Sequence, residues 1–130
     1  MDTAKKIPVT VPEMVSIIKD AKELINTPEK WGKGASAFNS AGNVVSYKDT
    51  KAVCFCITGA IIAAREKFEK NNKNRLIFNE KIYDLFPTEF LGQLYIFRDK
   101  GCQLIEFNDN LRTSHEQVMH LFNITIERNS

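Results

Sequence analysis

Long apolar runs, framework cysteines and an excess of one charge are all missing from this sequence, and each absence removes a class of protein. The longest apolar stretch, Ala52 to Ala64, is 13 residues and is interrupted at Thr58 and Gly59. A bilayer-spanning helix needs about 20 residues, so the stretch reads as a core helix and no membrane partner is expected. Cysteine occurs only three times, at Cys54, Cys56 and Cys102, an odd number without framework spacing, which excludes a disulfide-stapled miniprotein. No apolar segment of signal-peptide length follows the N-terminal charges. Free thiols and no cleavable signal fit a reducing cytosol, so a cytoplasmic protein is expected.

Charge is nearly balanced, with 18 basic against 16 acidic residues. Nucleic-acid-binding domains show a clear basic excess on one face. The densest basic stretch here, Lys70 to Arg75, is diluted by asparagines, and no nucleic-acid partner is expected. What remains is ordinary: 130 residues, 43% hydrophobic and 26% charged, the proportions of one globular domain. Disordered tails, collagen-like repeats and multidomain enzymes are excluded on these grounds.

Local signals favour helices. Thr10-Val11-Pro12-Glu13 is a capping box with proline in the first turn, and Met14, Val15, Ile18, Ala21 and Leu24 recur behind it at helical spacing. Thr27-Pro28-Glu29 predicts a short second turn leading to Trp31. Periodicity then vanishes between Gly32 and Tyr47, where Ala37-Phe38 and Val44–Tyr47 form a candidate small hairpin. Asp49 or Thr50 is expected to cap a central helix running to about Lys70. Its stripe of Cys56, Gly59, Ala60 and Ala63 is small enough to admit another backbone. A strand over residues 52–57 is the competing reading, because Val, Cys, Phe and Ile favour sheets. A further helix is expected from Thr88 to about Phe97, ending at Asp99-Lys100-Gly101. Phe107-Asn108-Asp109-Asn110 then reads as a turn, and Thr113 to Glu116 as a capping box opening the last helix. The expected fold is mainly α, a single compact domain of about five helices over residues 10–127 with a candidate small β-hairpin, preceded by an N-terminal arm, residues 1–9.

Chemistry-bearing residues are few. His115 and His120 are five apart, about 140° around a helix, and no C-x-x-C occurs, so neither a metal nor a cofactor is expected. Gly32-Lys33-Gly34 lacks the spacing of a phosphate loop. Cys56 with His115 and Asp109 supplies the residue types of a thiol nucleophile, base and orienting acid. Within an apolar helix, however, a thiol is raised in pKa and inert. Asn108 and Asp109 fit either a helix cap or, with Arg112, a polar site.

The ordered motifs Trp31-Gly32-Lys33-Gly34, Cys56 with Gly59-Ala60, and Asn108-Asp109 with Thr113 and Val118 resemble a family of small bacterial and phage proteins known only as a domain of unknown function. In that family the motifs look like a tryptophan–glycine loop, a Cys-x-x-Gly-Ala helix and an aromatic-Asn-Asp turn. Phe55 and Phe107 stand where the family pattern has tryptophan. The resemblance implies no activity, only that these three segments assemble into one feature, as a pocket or as a core junction. The preferred reading is a non-enzymatic domain that binds a protein or small molecule in a cleft between the 31–42 loop and the 108–113 turn. Trp31, Lys33, Asn108, Asp109 and Arg112 are the candidate contacts. The alternative is a hydrolase or transferase using Cys56, His115 and Asp109. Phe90, Tyr95 and Phe97 are candidates for a homo-oligomer contact.

Overall fold

The computed structural model describes residues 6–91 and 99–130. Helix α1 (Val11–Leu24) starts as its sequence signals. The Thr10 side chain accepts the Glu13 N–H, and Glu13 reaches back to the Thr10 N–H at 2.9 Å. The helix buries Met14, Val15, Ile17, Ile18 and Ala21. Ahead of it, β1 (Ile7–Pro8) pairs in parallel with β5 (Arg75–Leu76). Arg75 fixes this junction: its guanidinium donates to the carbonyls of Ile7 and Pro8 and pairs with Glu13.

A 3-10 turn at Pro28–Lys30 leads into Trp31. The expected hairpin is present as β2 (Ala37–Phe38) and β3 (Val44–Val45), antiparallel, with Ala37 opposite Val45. Its loop is held by Asn39, whose Oδ1 accepts the N–H groups of Ala41 and Asn43. On the other side of β2 lies β4 (Cys54–Phe55), so the sheet order is β3-β2-β4.

Strand β4 corrects the expected start of the central helix. Helix α2 runs Ile57–Asn71, not from Asp49 or Thr50, and Cys56 is its N-cap. The residues before it are held extended because Ala37 and Phe38 pair with Phe55 and Cys54, while the Cys56 N–H is taken by the Ser36 carbonyl. Helix α2 packs against α1 and, further along the chain, against α4. The small stripe does admit a backbone. A Cβ on Gly59 would lie 2.2 Å from the Ser36 carbonyl oxygen, so glycine at 59 is a requirement of the α2–β2 contact.

Helix α3 (Asn79–Tyr83) and a 3-10 turn at Thr88–Phe90 follow. The helix expected from Thr88 to Phe97 falls largely outside the described residues, as do Tyr95 and Phe97. Asp99 begins a helix. Its carboxylate accepts the Cys102 N–H at 2.9 Å and caps α4 (Lys100–Asp109). Gly101 in the first turn leaves room for the Tyr83 ring, 3.2 Å from where a Cβ would sit. Helix α5 (His115–Arg128) is capped one residue later than expected, by Ser114 with Gln117, because the Thr113 side chain is buried. The core is formed by Ile17, Ile18, Ile57, Ile61, Leu104, Val118 and Phe122, with Phe86 edge-on to Phe122 at 5.4 Å.

Two outcomes test this packing. Gly59→Ala gains helix propensity of about 1 kcal/mol but drives a methyl into a backbone carbonyl. The expected net result is a loss of about 2 kcal/mol in urea unfolding. The Thr10 N–H foremost, and Arg75 after it, hold the Glu13 carboxyl below its ordinary range. A carboxyl lowered by folding stabilises above its unfolded pKa and loses that contribution as pH falls through the folded value. Glu13→Gln, which keeps the cap, should therefore flatten the fall in Tm below about pH 4.

Candidate functional site

The three motif segments meet at one side chain. Asn108 is 1% exposed, in the last turn of α4. The segment Phe107-Asn108-Asp109 is therefore helical and not a turn; the turn begins at Asn110. It stays helical because the Asn108 amide is engaged elsewhere in the chain and does not compete for its own backbone. Its Oδ1 accepts the Trp31 indole N–H at 2.7 Å and the Ile57 N–H at 2.9 Å. Its Nδ2 donates to the Gly32 carbonyl at 3.0 Å and to Asp109 Oδ1 at 2.9 Å. A carboxamide has two donors and two preferred acceptor positions, so all four are used. Both groups facing Oδ1 are donors and both facing Nδ2 are acceptors, which fixes the orientation of the amide.

Around this centre the 31–34 loop is closed onto the end of α4. Asp109 Oδ1 also accepts the Gly34 N–H at 2.9 Å, at a glycine with φ +91°. Lys33 crosses the Trp31 ring at 5.3 Å from its centroid and donates to the Asn110 carbonyl at 2.5 Å. The cleft expected between loop and turn is thus occupied at this end by the protein's own hydrogen bonds. Four of the five candidate contacts, Trp31, Lys33, Asn108 and Asp109, are brought together here.

Arg112 stands apart from that cluster. Among the described residues it forms no ion pair with Asp109, and it borders a groove of about 650 Å³ between the end of α4 and α5. Phe90, Phe107, Met119 and Leu121 give the groove apolar surface, and Arg112, Glu116, Gln117, His120 and Asn123 give it polar groups. His120 meets the Phe90 ring edge-on at 5.5 Å. Sequence reasoning placed Arg112 beside the site but missed His120 and Glu116 as its neighbours, since this groove depends on how Phe90 and Phe107 are brought beside α5.

The thiol candidates are placed differently. Extended residues alternate sides, so Cys54 and Cys56 project to the same side of the chain. Cys56 is 7% exposed. Its sulfur accepts the Gly59 N–H and bonds the Thr58 hydroxyl, each at 3.3 Å. His115 Nε2 lies 2.7 Å from the Ile25 carbonyl. A carbonyl only accepts, so this nitrogen carries the proton and is not a base. Among the described residues no hydrogen bond joins Cys56 to His115 or Asp109. Burial pushes the Cys54 thiol up, and pushes the Tyr83 hydroxyl up to about 12.

Fold and site together define a small, mainly helical single domain locked by one buried asparagine. Among the described residues there is no cluster of three or more His, Cys, Asp or Glu fit to hold a metal, and no helix long and apolar enough to cross a membrane. The sequence model of the family of unknown function DUF6197 matches residues 10–128, and the chain belongs to that family. No significantly similar curated protein and no significantly similar solved structure was found.

The clasp has a measurable signature. Each net hydrogen bond contributes about 1 kcal/mol, and a buried partner left unpaired costs 1–3 kcal/mol. Asn108→Leu should lose about 3–4 kcal/mol in urea unfolding and Trp31→Phe about 1–2 kcal/mol. Asn108→Asp should be as damaging as Asn108→Leu at pH 7. It turns an oxygen toward the Gly32 carbonyl and Asp109, which pushes its pKa up, so its deficit should narrow as pH falls toward about 4 and a protonated carboxyl can donate again.

Proposed function

We propose that the domain is a non-enzymatic binding module whose partner, a protein, seats in the groove bordered by Arg112. One observation carries this reading. Leu111 is 95% exposed, yet it sits on a tip tied down on both sides. The Asn110 carbonyl accepts the Thr113 N–H and the Lys33 ammonium, and Asn110 Oδ1 accepts the Arg112 N–H. An apolar side chain presented on pre-ordered backbone loses little entropy on docking. A protruding leucine needs a concave partner, which favours a protein over a small molecule.

In this reading the five candidate contacts divide by role. Arg112 faces the partner, whereas Trp31, Lys33, Asn108 and Asp109 hold the tip in place. A cysteine hydrolase is disfavoured because the Cys56 sulfur serves as a helix cap and His115 Nε2 is already donating.

The test is a photo-crosslinking amino acid placed in cells at Leu111, with Val53, half-exposed on another part of the surface, as the control position. Discrete protein adducts from position 111 and none from position 53 are expected. Equal labelling at both positions, or none at 111, would overturn the proposal.

A further inference from the structure

We infer that the partner seated on this surface is a second copy of the same chain, paired about a two-fold axis. The inference rests on the groove being a protein-binding surface and goes on to name the occupant. Two-fold pairing requires a patch complementary to its own rotated image, in which residue i of one copy meets residue j of the other and j meets i. Residues 107–119 carry the parts of such a patch. Leu111 is an exposed apolar knob, and the adjoining groove offers Phe107 and Met119 as apolar surface to receive it. Arg112 and Glu116 both border the groove, carry opposite charges and lie four positions apart across the Ser114 cap. Neither forms an ion pair within the chain among the described residues.

A partner of a single charge sign would satisfy one of these groups and repel the other. A second copy turned by 180° sets Arg112 against Glu116 and Glu116 against Arg112, so both are matched at once. Long-range repulsion does not oppose such pairing, because the formal net charge is only +2. The hollow beside Tyr47, Lys48, Glu66 and Lys70 lacks this property. Its one acidic group, Glu66, already pairs with Lys48 and Arg65.

Light scattering behind size exclusion, from about 5 µM to about 500 µM, reads the outcome in a range where modest self-affinity becomes visible. The wild-type chain should approach the dimer mass, and Leu111→Asp should stay monomeric with unchanged Tm. Arg112→Glu and Glu116→Arg, each alone, should weaken association about tenfold or more, since each sets like charges face to face. Mixing these two variants should restore dimers, because both cross-pairs then become opposite in sign. A wild-type monomer at the highest concentration, or mixing that restores nothing, overturns the self-pairing. If the photo-crosslinker at Leu111 then captures a different protein, the binding-module reading stands and only the identity of the partner is wrong.

Discussion

Everything around the 31–34 loop depends on one carboxamide that has no bonding capacity to spare. Asn108 joins the tryptophan loop, the first turn of α2 and the end of α4, through bonds that span 77, 76 and 51 residues. No residue of similar size replaces it. Aspartate lacks the two donors, and leucine leaves the Trp31 and Ile57 N–H groups buried without partners. The same amide also completes a helix terminus. Ile57 is the first residue of α2, and its N–H is one of the groups that a helix leaves without an internal partner. The neighbouring Gly59 N–H is met by the Cys56 sulfur, so side chains from two segments cap one helix start.

This arrangement gives the irregular stretch after Gly32 its purpose. Strand β2 lies across the start of α2, with the Ser36 carbonyl over Gly59 and bonded to the Cys56 N–H. The loop is therefore packed structure, and Gly59 on α2 is what allows the approach. Rigidity then passes along the chain from Asp109 and Asn110 to the tip that carries Leu111. The buried clasp and the exposed surface are consecutive parts of one device. The first supplies the order of the second.

Legibility in the sequence followed the range of the interactions. The α1 capping box and the hairpin at Ala37 and Val44 were readable because their signals lie within a few residues of each other. Helix α4 was not. Asp99-Lys100-Gly101 reads locally as a stop, and only the Tyr83 ring packed beside Gly101, with the Asp99 carboxylate on the Cys102 N–H, shows it to be a start. Asn108 and Asp109 likewise read as turn residues, because the Trp31 indole that recruits the Asn108 amide is far away in sequence. The start of α2 was misplaced for a related reason. Cys54 and Phe55 are extended only because Phe38 and Ala37 pair with them. Motif order pointed to one assembled feature, but whether that feature was a pocket or a junction depended on hydrogen-bond partners that no local pattern encodes.

The short strand at the N-terminus has a consequence for the behaviour of the protein at high concentration. Ile7 and Val9 donate their N–H groups toward β5, which leaves residue 8 facing outward. That residue is proline and has no N–H, while its carbonyl is taken by the Arg75 guanidinium. An unprotected sheet edge invites foreign strands to add on and begin aggregation. Here the edge offers no donor and its acceptor is already engaged, so the half-exposed Ile7 lies on a sheet that cannot be extended through that residue.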